Sequence, residues 1–241
     1  MIVSISERHI TFTKKNQEVY FEKEKLFQLL FLLSMLVFTI GCSGTFDIYT
    51  YTSDLIDVAE SKEDLLYSNV NVVVVGLDSE GDIAFLRNNL DSFSNERIVE
   101  VEYMDSLSFD TKIPIISEDY HGNHDFSKNI IYLLASEDEE NYNFRVQYNE
   151  DLLKRINQYI YDEYFQKAVF DDFNVKMTLD NDIRGEDLSL TAYSVYVLGE
   201  AYPFEYKKNL AHREKLEIEI SEVFRKGIIA GTNYILFSIN K

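Results

Sequence analysis

The sequence predicts an α+β fold made mainly of antiparallel sheet, with two main amphipathic helices and several short capped helices. Three observations predict this class. Strand-forming aromatic residues are abundant, with 17 Tyr and 17 Phe against only 2 Pro. Most apolar segments alternate with polar residues, the period of a half-buried strand, and only two longer segments repeat with the period of a helix. With 46% hydrophobic residues, the chain can also bury a sizeable core.

Strand and helix signals follow one another in the first half of the chain. Residues 46–50 alternate as a strand, and Ser53 is placed to cap a short helix after it. Residues 69–76, NVNVVVVG, form a continuous apolar run that predicts a central strand. Ser79 and Asp82 have the spacing of a capping box at the start of the first main helix. Further strands are predicted at residues 99–103, 107–116, 129–135 and 143–148.

The second half contains the best helix of the sequence. Apolar residues repeat with helical spacing over residues 152–164, which predicts the second main helix. Residues 173–179 and 188–198 are predicted to form a hairpin across the polar segment 180–187, DNDIRGED. A strand at 216–220, a short helix and a last strand at 234–239 complete the chain.

An uncharged apolar segment, LFQLLFLLSMLVFTIG, occupies residues 26–41. It is shorter than the roughly 20 residues of a membrane-spanning helix, and Lys23 and Lys25 precede it, as in an export signal. Two alternatives stay open for this segment. Besides an export signal, it fits a short membrane-spanning anchor, or a buried core helix with the single cysteine, Cys42, as a small hydrophobic residue.

Residues 39–42, Thr-Ile-Gly-Cys, resemble the lipobox of bacterial lipoproteins. The resemblance implies cleavage between Gly41 and Cys42, a diacylglycerol on the Cys42 thiol and a further acyl chain such as palmitate on its amine. A leader with signal peptide at residues 1–41 would then be removed, leaving residues 42–241 as a single exported α+β domain. Residues 1–25 form an unusually long lead for such a signal, which indicates either an over-extended gene model or an unusual n-region.

Four short segments are also similar to uncharacterised bacterial lipoproteins, some of them from mobile elements. They are SDLIDVA, MDSLSFDTKIPI, SVYVLGEAYP and LEIEISEV. This resemblance implies no activity. It supports only the architecture and an address in the cell envelope, on the outer face of the cytoplasmic membrane or on the outer membrane.

The formal charge of −19 disfavours partners that carry a phosphate backbone. We therefore expect no nucleic-acid partner. The expected partners are the membrane, through a lipid on Cys42, and an envelope protein. Two groups of tyrosines could form a recognition surface or could serve ordinary packing. They are Tyr159, Tyr161 and Tyr164 on the predicted helix, and Tyr193 and Tyr196 on the predicted strand.

One polar loop has candidate metal ligands. Asp119, His121, His124 and Asp125 lie within seven residues, and imidazole with carboxylate suits zinc and similar ions. The same residue types also collect in turns between strands, so the spacing alone leaves both interpretations open.

Other chemical motifs are incomplete. The segment that begins at Asp180 has Arg184 and Thr191 where a calcium loop needs ligands, and residues 76–81 lack the lysine of a phosphate loop. No G-x-S-x-G elbow is present, so we expect no catalytic residue and no cofactor. The sequence thus favours a membrane-anchored envelope lipoprotein with a non-catalytic binding or structural role. The alternative is a metal-binding protein or metal-dependent enzyme that uses the 119–125 loop.

Overall fold

Eleven strands of a single sheet and four helices make up the part of the chain that the computed structural model describes, namely residues 42–101, 103–164 and 168–241. The strands are β1 Cys42–Tyr51, β2 Leu65–Val75, β3 Ser94–Val101, β4 Met104–Ser117, β5 Ile131–Glu137, β6 Asn141–Tyr148, β7 Ala168–Asp180, β8 Leu188–Val197, β9 Glu200–Leu210, β10 Lys215–Ile220 and β11 Ile235–Asn240. The helices are α1 Thr52–Ala59, α2 Glu80–Asn89, α3 Glu150–Tyr164 and α4 Glu222–Ile229.

Nine of the strands close into a mixed barrel. Their order is β10-β7-β1-β2-β4-β5-β6-β11-β8, and β8 pairs with β10 to complete the ring. The expected α+β fold with mainly antiparallel sheets is therefore wrong. Alternation of apolar and polar residues locates strands along the sequence, but it does not tell which strands pair or whether the sheet closes.

Two pairs in the ring are parallel, and both join strands by connections longer than a hairpin. β1 pairs with β7 from Cys42↔Ala168 to Tyr51↔Asp180, and β4 pairs with β5 from Ile115↔Leu133 onwards. Parallel neighbours require a crossover connection. The chain between β1 and β7 contains β2–β6, and residues 118–130 join β4 to β5. Around the ring, seven neighbouring pairs are antiparallel and two are parallel.

Each antiparallel pair reverses the direction of the strand. After seven reversals around a closed ring, the last strand would run opposite to the direction that its other neighbour requires. One strand must therefore bend. β8 meets the requirement. It pairs with β11 over residues 190–192 and with β10 only at Val195 and Tyr196. Between these pairings, Ser194 has a φ of 52°, and the register against β9 shifts, as at a bulge that bends a strand. The Ser194 hydroxyl lies 2.9 Å from that of Ser221 at the end of β10, which fixes the closure.

β3 and β9 lie outside the ring. Each pairs with one ring strand, β3 with β4 and β9 with β8. The sequence predicted that the strand at 188–198 pairs with the one at 173–179, and this hairpin is wrong, because β8 pairs with β9, β10 and β11 and β7 pairs with β1 and β10. The turn of the real hairpin contains Leu198 and Gly199, both with positive φ.

α1 and α4 pack against the barrel with their apolar faces. α1 follows β1 directly and buries Leu55 and Val58 completely among β1, β2, β4, β5 and β6. α4 buries Phe224 and Ile228 and contacts β6 and β7. Gly44 near the start of β1 is needed for close packing, because a Cβ there would overlap the Val73 carbonyl and the ring of Phe173.

α2 and α3 are joined by a buried carboxylate, Asp82. Ser79 caps α2 and Asp82 completes the capping box, as the sequence predicts. Asp82 also accepts hydrogen bonds from two hydroxyls of α3, Tyr159 at 3.0 Å and Tyr164 at 2.6 Å. Burial by itself raises the pKa of Asp82, but the hydrogen bonds from Tyr164 and Ser79 outweigh it and hold the pKa below its usual value.

We expect the Asp82→Asn substitution to destabilise the fold by about 2 kcal/mol at neutral pH, since hydrogen bonds to a buried charge are lost. Because the folded-state pKa is lowered, the stabilisation is present above the unfolded pKa of about 3.9 and is lost as pH falls below it. Urea unfolding of wild type and variant at pH 7 and pH 3 measures this. The exposed neighbour Asp78→Asn is the control, and an equal effect at both pH values would contradict the assignment.

Candidate functional site

A cleft of about 460 Å³ lies beside α1, and we call it the α1 cleft. One wall is the outer side of α1, and the other is the segment between β7 and β8; the starts of β6 and β8 and the end of β11 complete it. Its lining residues are Ser53, Ile56, Asp57, Glu60, Lys62, Tyr142, Ile183, Glu186, Leu188, Asn240 and Lys241. The volume lies in the range of small-ligand sites, roughly 300–1,000 Å³.

Helical spacing explains why α1 serves both the core and the cleft. Thr52, Leu55, Val58 and Ala59 are buried on the barrel side. The cleft-lining residues Ser53, Ile56, Asp57 and Glu60 follow one another at intervals of three, one and three, so they share the opposite face. Packing of α1 into the barrel end therefore presents these side chains outward.

The two walls of the cleft are linked at the start of α1. The residue before α1 is Tyr51, and its side chain makes no hydrogen bond that caps the helix. Asp182, in the segment between β7 and β8, accepts hydrogen bonds from the Ser53 amide at 3.0 Å and the Ser53 hydroxyl at 2.6 Å. The sequence predicted Ser53 as the cap, and this is wrong. A carboxylate 129 residues away supplies the acceptor that the first turn needs.

Asn181 holds the same segment in place. Its buried side-chain amide donates to the carbonyls of Glu186 at 2.9 Å and Leu210 at 2.8 Å. Its side-chain oxygen accepts from the Ile183 amide at 3.1 Å. Because all of these bonds are internal to the fold, the wall that contains Ile183 and Glu186 has a defined position.

A polar chain crosses the floor of the cleft. The Tyr142 hydroxyl donates to Glu60, and Lys62 lies 2.5 Å from Glu60 and 3.3 Å from Asp57. The Lys241 ammonium lies 5.3 Å from the centroid of the Tyr142 ring and 3.0 Å from Glu137. This arrangement combines charged groups of both signs with a buried aromatic ring.

The protonation states of these groups are fixed near neutral pH. Burial, with the hydrogen bond to Glu60, raises the pKa of Tyr142 to about 12. The Lys62 hydrogen bond, followed by that of Tyr142, lowers the pKa of Glu60. Hydrogen bonds to Glu60 and Asp57 raise the pKa of Lys62. Tyr142 and Lys62 therefore stay protonated and Glu60 stays ionised, so these three groups are suited to binding and none is poised for proton transfer.

Comparison with known families identifies the family of this chain. A family model described as a domain of unknown function, DUF7424, matches residues 46–241, from within β1 to the end of the chain. The chain belongs to the DUF7424 family. No curated protein and no solved structure matches it. The function of this DUF7424 domain is therefore argued from its geometry.

The predicted metal ligands of the DUF7424 domain do not share one point in space. Asp119 and His121 are exposed, and the Asp125 carboxylate accepts from the Ser127 amide at 2.9 Å. The His124 ring lies 3.3 Å from the Tyr67 hydroxyl and 4.5 Å from the Phe126 ring centroid. Among the described residues, no three His, Cys, Asp or Glu side chains come together as a metal group. Metal binding by this loop stays a prediction.

Other sequence-predicted positions have mixed outcomes. The backbone of Cys42 starts β1, whereas Gly41 and the apolar segment 26–41 lie outside the described residues. Within the described part of the chain, none of the helices has the length and apolar character needed to cross a membrane.

Tyr159 and Tyr164 serve packing, because their hydroxyls donate hydrogen bonds to Asp82. No sequence signal marked the α1 cleft, because its residues come from four separate segments of the chain.

We expect Tyr142→Phe to raise the pKa of Glu60 and to destabilise the DUF7424 domain by about 1 kcal/mol, because one buried hydrogen bond is lost. The raised pKa of Tyr142 means that its contribution is complete below the unfolded pKa of about 10 and is lost as pH rises towards about 12. Urea unfolding between pH 8 and 12 and NMR titration of carboxyl groups measure both effects. Tyr51→Phe, at an exposed tyrosine, is the control. An unchanged Glu60 pKa would contradict this network.

Proposed function

We propose that this DUF7424 protein is a lipid-anchored cell-envelope protein that binds an envelope protein partner through the α1 cleft and its rim. The tether is Cys42, after removal of residues 1–41, and the anchoring membrane is the cytoplasmic membrane, at its outer face, or the outer membrane. The observation that carries the proposal is the position of Cys42 and α1 at opposite ends of one strand.

The tether argument rests on sequence and geometry together. The lipobox resemblance assigns the lipid to Cys42, and the backbone of Cys42 is the first residue of β1. A lipid there leaves no linker between the acyl chains and the folded domain. A domain held in this way has a restricted orientation at the membrane surface.

Strand geometry then separates the membrane from the cleft. β1 has 10 residues, so it spans about 30 Å between Cys42 and the start of α1. The cleft lies beside α1, at the end of β1 that is opposite Cys42. A site directed into the space beyond the membrane is accessible to another envelope protein.

The chemistry of the cleft favours recognition. Ile56, Ile183 and Leu188 supply apolar wall, while Asp57 and Glu186 supply carboxylates at the entrance. Binding sites commonly combine an apolar lining with a few placed polar groups. The fixed protonation of Tyr142 and Lys62 supports binding over catalysis.

The tether is tested by labelling cells that express the full chain with radioactive palmitate. We expect label on the wild type and none on Cys42→Ser, which should also lose its association with the membrane fraction. Ser43→Ala is the control because it leaves the thiol in place. Failure to label the wild type, or identical fractionation of wild type and Cys42→Ser, would overturn the tether.

The cleft is tested with a photo-crosslinking amino acid placed at Ile56 or Glu186 in cells. We expect both positions to give the same covalent adduct with one envelope protein, since both line the cleft. Tyr67 is the control position, because it is exposed but does not line the cleft. Adducts of equal yield from Tyr67, or none from the cleft, would overturn partner binding there.

A further inference from the structure

Two exposed apolar side chains flank Cys42, one on each side. Tyr103 is 95% exposed and Val223 is 78% exposed. Leu198 and Phe204 are exposed to a similar degree, at 95% and 85%, so the inference rests on the position of Tyr103 and Val223 beside Cys42 and not on their exposure alone.

Strand register places Tyr103 close to Cys42. Gly44 pairs with Val74 of β2, and the following residue Val75 pairs with Ser106 of β4. Tyr103 lies in the turn that connects Val101 of β3 to Met104 of β4. Successive strands are about 4.8 Å apart, so Tyr103 lies about 10–15 Å from the start of β1 and at the same level of the barrel.

Val223 lies on the other side of β1. Gly44 pairs with Phe173 of β7, and the Arg225 guanidinium of α4 donates to the Phe173 carbonyl. Val223 belongs to the first turn of the same helix, two residues before Arg225. The start of β1 therefore lies between α4 and the β3–β4 turn.

The conformation of Tyr103 follows from its turn. Its φ is 69°, and a two-residue hairpin turn such as the one between Val101 and Met104 requires a positive φ. Leu198 has the same conformation in the β8–β9 turn. Tyr103 therefore lies at the tip of the β3–β4 hairpin, at the end of the barrel where β1 starts.

From these positions we infer that Tyr103 and Val223 form a membrane-contacting face around Cys42, the proximal face, which inserts into the headgroup region of the bilayer. The inference rests on the proposed tether. In the proposed tether the lipid is attached at Cys42, so the start of β1 is the part of the domain that lies next to the bilayer. Tyrosine suits this depth because its ring is apolar and its hydroxyl is polar.

Charge sets the lipid class. Glu100 and Asp105 flank the turn, and Glu222, which precedes Val223, lies 2.5 Å from the Lys226 ammonium. With a chain charge of −19, anionic headgroups repel this face. The surface that the proximal face contacts is therefore zwitterionic lipid, such as phosphatidylethanolamine or phosphatidylcholine.

The chain contains no Trp, so single substitutions give clean fluorescence reporters. Three variants of the lipidated protein are prepared: Tyr103→Trp, Val223→Trp and, as a control at the opposite end of β1, Tyr51→Trp. Each is reconstituted in phosphatidylcholine vesicles with or without brominated lipid. We expect emission of the first two to shift to shorter wavelength and to be quenched by brominated lipid. Tyr51→Trp should show neither effect.

Two outcomes separate the failures. If the vesicles float with the protein but all three reporters respond alike, the proximal face is wrong and the tether stands. If the wild type carries no lipid and does not float, the tether fails and the proximal face fails with it. A Tyr103 reporter that becomes protected by protein dimerisation in detergent, without lipid, also overturns the inference.

A double variant tests whether Tyr103 and Val223 contact the bilayer together, without a loss of folding that would confuse the result. Tyr103→Gly suits the left-handed φ and is expected to keep the thermal stability of the domain. Combined with Val223→Trp, it should reduce quenching by brominated lipid, because one of the two contacts is removed. Unchanged quenching in this variant would contradict a shared face.

Discussion

The parallel pairing of β1 with β7 is the constraint on which the rest of the structure depends. It joins Cys42–Tyr51 to a strand that begins 126 residues later, at Ala168. At one end it brings Phe173 beside Gly44 and lets Arg225 of α4 reach the Phe173 carbonyl. At the other end it carries the chain to Asp182, which supplies the acceptor for the first turn of α1. Both ends of the barrel are therefore organised by one strand pair. Such a pairing has a large loop-closure entropy, so we expect it to form late in folding.

Buried polar groups specify the parts of the fold that apolar packing leaves free. Asp82 joins α2 to α3 through two tyrosine hydroxyls, and Asn181 fixes the segment between β7 and β8 through two backbone carbonyls. Each is fully buried and hydrogen-bonded, which is the condition under which a polar group is tolerated in a core. These groups act at junctions between elements, where the apolar pattern of either element alone would allow several arrangements.

The barrel separates two surfaces of different chemistry. Around Cys42, the proximal face presents Tyr103 and Val223, which are exposed and apolar. Beyond α1, the cleft presents carboxylates, two lysines and the ring of Tyr142. Because β1 is rigid within a closed sheet, the distance between these surfaces is fixed. In the proposed function, a tether at one end and a recognition site at the other would hold a partner at a set height above the bilayer.

The sequence by itself determined the local elements. The alternation at residues 46–50 and 216–220 predicted β1 and β10, the helical repeat predicted α3, and the capping box at Ser79 and Asp82 predicted the start of α2; the structure confirms all four. These succeed because the signals lie within one turn or one strand. β9 was missed, since its residues are largely exposed and Pro203 interrupts it.

Only the tertiary structure decided the closed barrel, the pairing of β7 and the α1 cleft. The expected hairpin between residues 173–179 and 188–198 failed because alternation carries no information on strand partners. Ser53 failed as a cap because Asp182, far along the chain, reaches the same amide. The cleft residues Tyr142 and Lys62 carry no local motif and meet Glu60 only after the sheet closes. Non-local contacts depend on register and closure, and these are properties of the whole fold.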